Sequence, residues 1–445
     1  MTKSRNLSAL LVAAIFLPMS VAAFANNGEV YGPPAPQNAE DVMALVAPPS
    51  SLPPALVTAA QLAAQSYPTI RNAEAQLRAS RSDVRAAKWL RFPSLSVEAL
   101  AVTRGTGAAT QDTVALNATA EAPIYTFGRV SGTINKAEAL RSAREAAVDE
   151  SVRDLTLRVI NAYYSIGLSA QRQAVLEEGL AQHQLLLETI RNRVNQEVSP
   201  MADLDLAIAR TAELEQQLAQ AKAQRAINLS QLYEMVGTGR FDLGNVPIYD
   251  PDVVHPTGMD LIDEALACDP KLARLRAEMV AAEADAKVAK AGIFPQLLGQ
   301  VAHNEITGTR VGVVLRAQTG AGLSQLSAAQ SARARVEASA FDIQTAEREL
   351  RDALQLDLVT NSSSRDRIVA SATASETSEL VTASYRRQFI AGRRTWLDVM
   401  NAVREATSSE LSRTEAEFGA MSSHARILLR TCRWQPQAGK GEGQE

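Results

Sequence analysis

From Thr113 to Tyr125 every second residue is apolar: Val114, Leu116, Ala118, Ala120, Ala122 and Ile124, while Thr113, Asn117, Thr119 and Glu121 alternate with them. The same period of two returns from Arg310 to Ala317, where Val311, Val313 and Leu315 alternate with Arg310, Gly312 and Arg316. Such alternation marks a strand with one apolar and one polar face, and about ten residues is the length of a membrane-spanning strand. Ser94–Arg104 and Gln296–Asn304 alternate less cleanly, and each precedes one of these strands across Gly/Thr/Asp turn residues. Two hairpins are expected, at about 94–125 and 296–318.

The rest of the chain changes period. No proline lies between Pro123 and Pro200, and helix-forming residues run from about Gly128 to Val198. At about 1.5 Å per residue that helix is on the order of 100 Å long, far beyond a bilayer of about 30 Å. A second proline-free run of 140 residues, 296–435, contains GRRTWLDVMNAVR at 392–404. This stretch reads as the bend where one long helix hands over to the next. Helices this long need partners, and the many alanines (AEALRSAREAA, SARARVEASA) permit close side-by-side packing.

The pattern occurs twice. Pro68 and Pro270, then Phe92-Pro93 and Phe294-Pro295, recur at an offset of 202. RNRVNQEVSPMADLDLAIAR (191–210) lies against YRRQFIAGRRTWLDVMNAVR (385–404) at an offset of 194. One deletion of about eight residues between Phe294 and Ala317 reconciles the two numbers, since ITGT there is shorter than RGTGAATQD. The chain is therefore a duplication: a first repeat at 55–236, a Gly/Pro-rich linker at 237–258 and a second repeat at 259–435. In each copy a short helix and one of roughly 20 residues precede the Phe-Pro, which ends the helix. Trp89, Phe92, Tyr125, Phe127 and Phe294 gather at strand starts or ends, as the aromatic belt of a membrane barrel would.

Lys3 and Arg5, the apolar run Leu7–Leu17 and Ala23-Phe24-Ala25 read as a signal peptide over 1–25. A Pro-rich, disordered leader is expected at 26–54 and a flexible tail at 436–445. No later segment is apolar for about 18 residues, so no transmembrane helix is expected. A net charge of −4 with evenly spread Lys and Arg offers no face to nucleic acid. Aromatic content of 4% is low for a compact enzyme, which favours long packed helices. His183, His255, His303 and His424 show no metal-ligand spacing, and nucleotide-binding and nucleophile motifs are missing. No catalytic, cofactor or metal residue is assigned. Cys268 and Cys432 are the only cysteines. An even count in an oxidising compartment predicts a bridge between them, in the equatorial region away from the bend.

Four strands cannot close a barrel, and an open sheet edge is forbidden in lipid. The chain must pair its strands with those of other copies. Duplicated hairpins and long helices behind a signal peptide resemble the TolC-like family of bacterial outer-membrane efflux and secretion channels, over about residues 55–432. GRRTWLDVMNA at 392–402 fits that family's GxRTxxDVxxA-like segment. The resemblance implies a mainly α fold with a transmembrane β-barrel: a homotrimer sharing about twelve strands, continued by a periplasmic α-helical tunnel. It implies an exit duct in the outer membrane, reaching into the periplasm, for tripartite efflux or type I secretion. A periplasmic adaptor and an inner-membrane ABC or proton-driven transporter would be its partners, and outer-membrane lipid its surroundings. The other reading of the residues is a non-conducting coiled-coil scaffold or adhesin stalk.

The resemblance also implies a gate at the far tip, where Gly392 lets the chain turn and Arg393 and Arg394 line the mouth. Arg394 and Phe389 match an arginine and an aromatic that hold the tip closed; Asp398 and Asn401 match its carboxylate rings. On the offset of 194, Val198 stands where the second copy has Gly392, and Asp203 and Asp205 straddle the carboxylate position. Arg394 is expected to pair with one of those two aspartates.

Overall fold

The structure is a computed structural model that describes residues 49–438 except 105–110, 238–240, 257, 259, 305–307 and 318–323. The expected signal peptide, the leader before residue 49, both hairpin tips and the last seven residues lie outside the described residues. The first copy contains α1 (Pro54–Ser66), α2 (Pro68–Trp89), β1 (Ser94–Arg104), β2 (Gln111–Tyr125), α3 (Arg129–Asn195) and α4 (Met201–Val236). The second contains α5 (Asp260–Cys268), α6 (Pro270–Ala291), β3 (Gln296–Asn304), β4 (Gly308–Arg316), α7 (Ser324–Ile390) and α8 (Trp396–Arg430).

Proline sets the early boundaries. Pro68 and Pro270 occupy first-turn positions, where a missing N–H costs nothing. Pro93 and Pro295 stop α2 and α6 before the strands. In the second copy Asp269 also caps α6, accepting from the Leu272 N–H at 2.9 Å. Beyond the hairpins, α3 and α7 each run 67 residues, on the order of 100 Å.

The two copies superimpose in sequence more tightly than their letters suggest. The offset is 202 through the start of the hairpins and 195, not 194, from the long helices onward. The deletion is seven residues.

The four strands form one antiparallel sheet in the order β1-β2-β3-β4, leaving one strand edge unpaired on each side within the chain. Its register puts Leu95 opposite Ala120, Val97 opposite Ala118, Val301 opposite Val311 and Leu297 opposite Leu315. That face is apolar. The other carries Ser94 opposite Glu121, Ser96 opposite Thr119, Glu98 opposite Asn117 and Gln296 opposite Arg316.

α3 is the hub, packing against α2, α4, α6 and α8, while α7 packs on α6 and α8. Close approach needs small residues: a Cβ on Gly167 would lie 2.5 Å from the buried Phe418 ring. An equatorial core joins Leu56, Ile70, Leu155, Ile160, Leu232, Phe418, Leu429 and Trp434. Among the described residues, no helix is long and apolar enough to cross a membrane.

Three boundaries differ from the expected ones. Residues 49–54 of the expected leader are packed: Leu52 is buried, Ser51 Oγ lies 3.0 Å from His424 Nε2, and Pro54 already opens α1. The tail is fastened at its start, where Gln61 Nε2 donates to Gln437 O at 2.8 Å. The described part of the linker is not free either. His255 is buried against His424, with ring centroids 4.8 Å apart.

Candidate functional site: the helical tip and the sheet face

Both α-hairpin turns close the same way. Gly392 has φ of 73° and Glu197 φ of 58°. The Arg393 N–H donates to Gln388 O and the Val198 N–H to Arg193 O, both at 2.8 Å, and the Gly392 and Glu197 N–H groups donate to Phe389 O and Val194 O, both at 3.0 Å. These bonds satisfy the last carbonyls of each helix with one residue in the left-handed region. Glu197, not Val198, is the counterpart of Gly392. The aspartates then also fall into place: Asp203 and Asp398 are both third residues of their helices, and Asp205 lies beyond the site. Letter matching missed this because a glutamate does not announce a positive φ.

The second turn carries more chemistry. Thr395 caps α8, accepting from the Asp398 N–H at 3.2 Å, while its own N–H and hydroxyl donate to Asp398 Oδ2 at 3.1 and 2.8 Å. This reciprocal pair is a capping box. The hydroxyl, then the backbone N–H, hold the Asp398 carboxyl below the usual carboxylate range. In the first turn Pro200 stands at the cap and makes no side-chain cap bond.

Arg394 does not reach Asp203 or Asp205. Its guanidinium lies 4.3 Å from the Tyr385 ring centre, its Nε donates to Gln388 Oε1 at 3.3 Å, and its nearest carboxylate is Asp398, at 3.9 Å. Arg394 precedes the cap, so Asp398 and the end of α7 are within reach, and the first turn is not. Tyr385 is thus the tip aromatic that the sequence reading missed. Its spacing of nine residues across a turn gives no periodic signal.

Phe389 packs instead into a cluster that joins the two turns: Leu186, Ile190, Leu204 and Ala207 from the first copy, Trp396, Val399, Met400 and Val403 from the second. Arg193 lies 6.0 Å from its ring centre. Gly392, Arg393 and Asn401 remain exposed. His183, on the same helices, is buried with neither ring nitrogen bonded. Burial, reinforced by Arg210 and Arg404, pushes it toward the neutral form.

At the other end of the long helices the five aromatics gather as expected. Trp89 and Phe92 lie 4.9 Å apart, Tyr125 and Phe127 4.7 Å, and Phe127 stacks on Phe294 at 5.1 Å. All five are exposed, Trp89 at 66%. So are Leu95, Val97, Val311, Val313 and Leu315 on the apolar face, all five above 60%. On the polar face Arg316 makes two bonds to Glu121, at 2.6 and 2.9 Å, and Gln300 donates to the same carboxylate at 2.8 Å.

Between tip and sheet, Cys268 and Cys432 are joined in a disulfide. Around them Arg153 pairs with Asp269 at 2.7 Å, and the buried Asp357 accepts from Arg426 at 2.6 Å and Arg430 at 2.8 Å. Among the described residues no cluster of three or more His, Cys, Asp or Glu could hold a metal.

Residues 59–238 match the family described as outer membrane efflux protein. Comparison with curated proteins finds no match. Solved structures match along nearly the whole chain at low identity. The outer-membrane channel OprN aligns at 18% identity and a TM-score of 0.76, covering 85% of this chain and 90% of its own. The outer membrane protein VceC of Vibrio cholerae aligns at 16% identity and 0.72, covering 84% and 95%. The open-state MtrE outer membrane channel of Neisseria gonorrhoeae aligns at 17% identity and 0.71, covering 86% and 91%. Residues 59–238 thus carry a match to the outer membrane efflux protein family, and the chain as a whole shares the duplicated hairpin-and-helix fold of these channels.

Proposed function

We propose that the chain is the exit duct of a tripartite exporter. Three copies close a barrel of about twelve strands in the outer membrane, and their helices continue it through the periplasm as a tunnel. The observation that carries this reading is the sheet: its large apolar side chains are exposed on one face, polar ones line the other, and both edges lack a partner within the chain. In lipid such edges must be paired by other copies. The exposed aromatics, Trp89, Phe92, Tyr125, Phe127 and Phe294, then sit as a belt where strands give way to helices. Phe341, Leu356, Val369 and Leu380 along α7 are each more than half exposed, which supports burial against a neighbouring copy. A scaffold or stalk has no use for such a sheet.

The tip is the gate in this reading. Arg394, clamped by Tyr385, Gln388 and Asp398, is repeated three times around the mouth, with Arg393 and Asn401 exposed beside it. Each contact is exposed and therefore weak, so a periplasmic adaptor could open the ring. An inner-membrane ABC or proton-driven transporter would supply the energy and choose the cargo, small molecule or protein.

Native mass measurement on detergent-extracted protein should give a trimer, and planar bilayers should give a low-conductance channel that Arg394→Ser opens further. A stable monomer with full strand content sinks the duct. A conducting trimer whose Arg394→Ser variant is unchanged removes only the gate.

A further inference from the structure

The Glu121–Arg316 pair is more than a local contact. Counted back from the long helices, Glu121 stands eight residues before Arg129, and Arg316 eight before Ser324. Counted across the sheet, Glu121 lies opposite Ser94 and Arg316 opposite Gln296, and Ser94 and Gln296 are themselves related by the hairpin offset of 202. Both routes make Glu121 and Arg316 the same position of the duplicated unit. The first copy carries an acid there and the second a base. Both lie on the polar face, at the end of the sheet that holds the exposed aromatics.

We infer that these two residues form a charge-alternating ring, three carboxylates and three guanidiniums, where the barrel meets the tunnel. This rests on the trimeric duct. Each arginine is two strands from the Glu121 of its own chain, which it grips with two bonds. In a symmetric trimer it is also two strands from the Glu121 of the next chain. The ring is therefore neutral while remaining strongly polar. The cross-strand partners beside it, Ser94, Gln296 and Gln300, carry no charge. A focused field of one sign would concentrate counter-ions and exclude like charge. A balanced ring does neither, so this junction passes cargo of either sign, and discrimination by charge is left to other parts of the assembly.

The test is the reversal potential of the full trimer in planar bilayers under a potassium chloride gradient. Arg316→Gln leaves three uncompensated carboxylates and should raise cation over anion permeability severalfold. Glu121→Gln leaves three guanidiniums and should shift the ratio severalfold the other way. The double variant Glu121→Gln/Arg316→Gln and the exchange Glu121→Arg/Arg316→Glu should both return to the wild-type value. Gln300→Glu neutralises neither partner but replaces the amide that donates to Glu121 with three further carboxylates at the ring, so it must act like Arg316→Gln even if a single neutralisation prevents assembly. Conducting variants whose reversal potentials stay at the wild-type value overturn the ring while leaving the duct intact. A trimer that never conducts overturns the duct, and the ring with it.

Discussion

The two copies of the repeat share a backbone and differ in how they are fastened. At the tip, the second copy turns on Gly392 and caps its next helix with Thr395 and Asp398; the first turns on Glu197 and has Pro200 at the cap. At the equator, a residue just past the last helix takes a positive φ in both copies. It is Gly237 in the first and Cys432 in the second, and Cys432 is bridged to Cys268. The geometry was kept through the duplication while the side chains that hold it diverged. The left-handed backbone comes from the hairpin's hydrogen bonds and the shared hydrophobic cluster, which tolerate a glutamate where glycine would be less strained. The tip capping box and the disulfide are present in the second copy only.

The largest difference should be at the equator. Removing the bridge releases a loop of 164 residues, worth up to about 5 kcal/mol by loop-closure entropy. Cys432→Ser should lower the unfolding midpoint of the extracted protein, and reductant should lower the wild type equally. Cys432→Gly, which restores the first copy's residue, should fall less because glycine relieves the positive φ. If reductant leaves the wild-type midpoint unmoved, the equatorial contrast is void.

Next comes the contact by which the linker docks on the second copy. Burial, then the neighbouring His255 ring, hold His424 down to about 4. Between an ordinary value near 6.5 and 4, the unfolded chain binds the proton and the folded chain does not. Stability from this site is complete above that window and lost as pH falls through it, at most about 3 kcal/mol. Unfolding midpoints taken at pH 7 and pH 5 should differ in wild type and differ less in His424→Gln. An unchanged pH slope in the variant would remove the histidine from this account.

At the tip the effects are smaller. Thr395→Ala breaks the capping box and should cost about 1 kcal/mol, whereas Pro200→Ala, with no side-chain cap bond to lose, should show no comparable cost. Equal losses at the two positions would contradict the asymmetry. Smallest are the turn residues themselves. Gly392→Ala should cost about 1 kcal/mol by backbone strain alone, since nothing lies within 4 Å of the added Cβ. Glu197→Gly should gain about half as much, the relief being offset by glycine's freedom in the unfolded chain. Effects of the same sign would mean that the two turns are not equivalent.

Much of this was legible before the structure. Alternation at 113–125 and 310–317 located the second strand of each hairpin, and Phe92-Pro93 and Phe294-Pro295 marked where helices stop. The tip was legible only in part. Gly392 is readable as a turn because only glycine adopts a positive φ freely, while Glu197 is not, and that one residue shifted the register and misplaced Asp203. Arg394's clamp on Tyr385 depends on how the chain folds back, as do the Asp357 and Arg153 networks, whose partners lie 69 to 277 residues away.

The sequence by itself determined the elements and their duplication, because period, proline and glycine act within a few residues of backbone. It also determined that the sheet must find partners, because lipid leaves no unpaired strand edge stable. Only the tertiary structure decided which charge meets which. Glu121 and Arg316 are 195 residues apart, and nothing local distinguishes them from other polar residues of their strands. Pairing is a matter of distance in space, which the chain acquires only once four strands share one sheet and the long helices lie side by side.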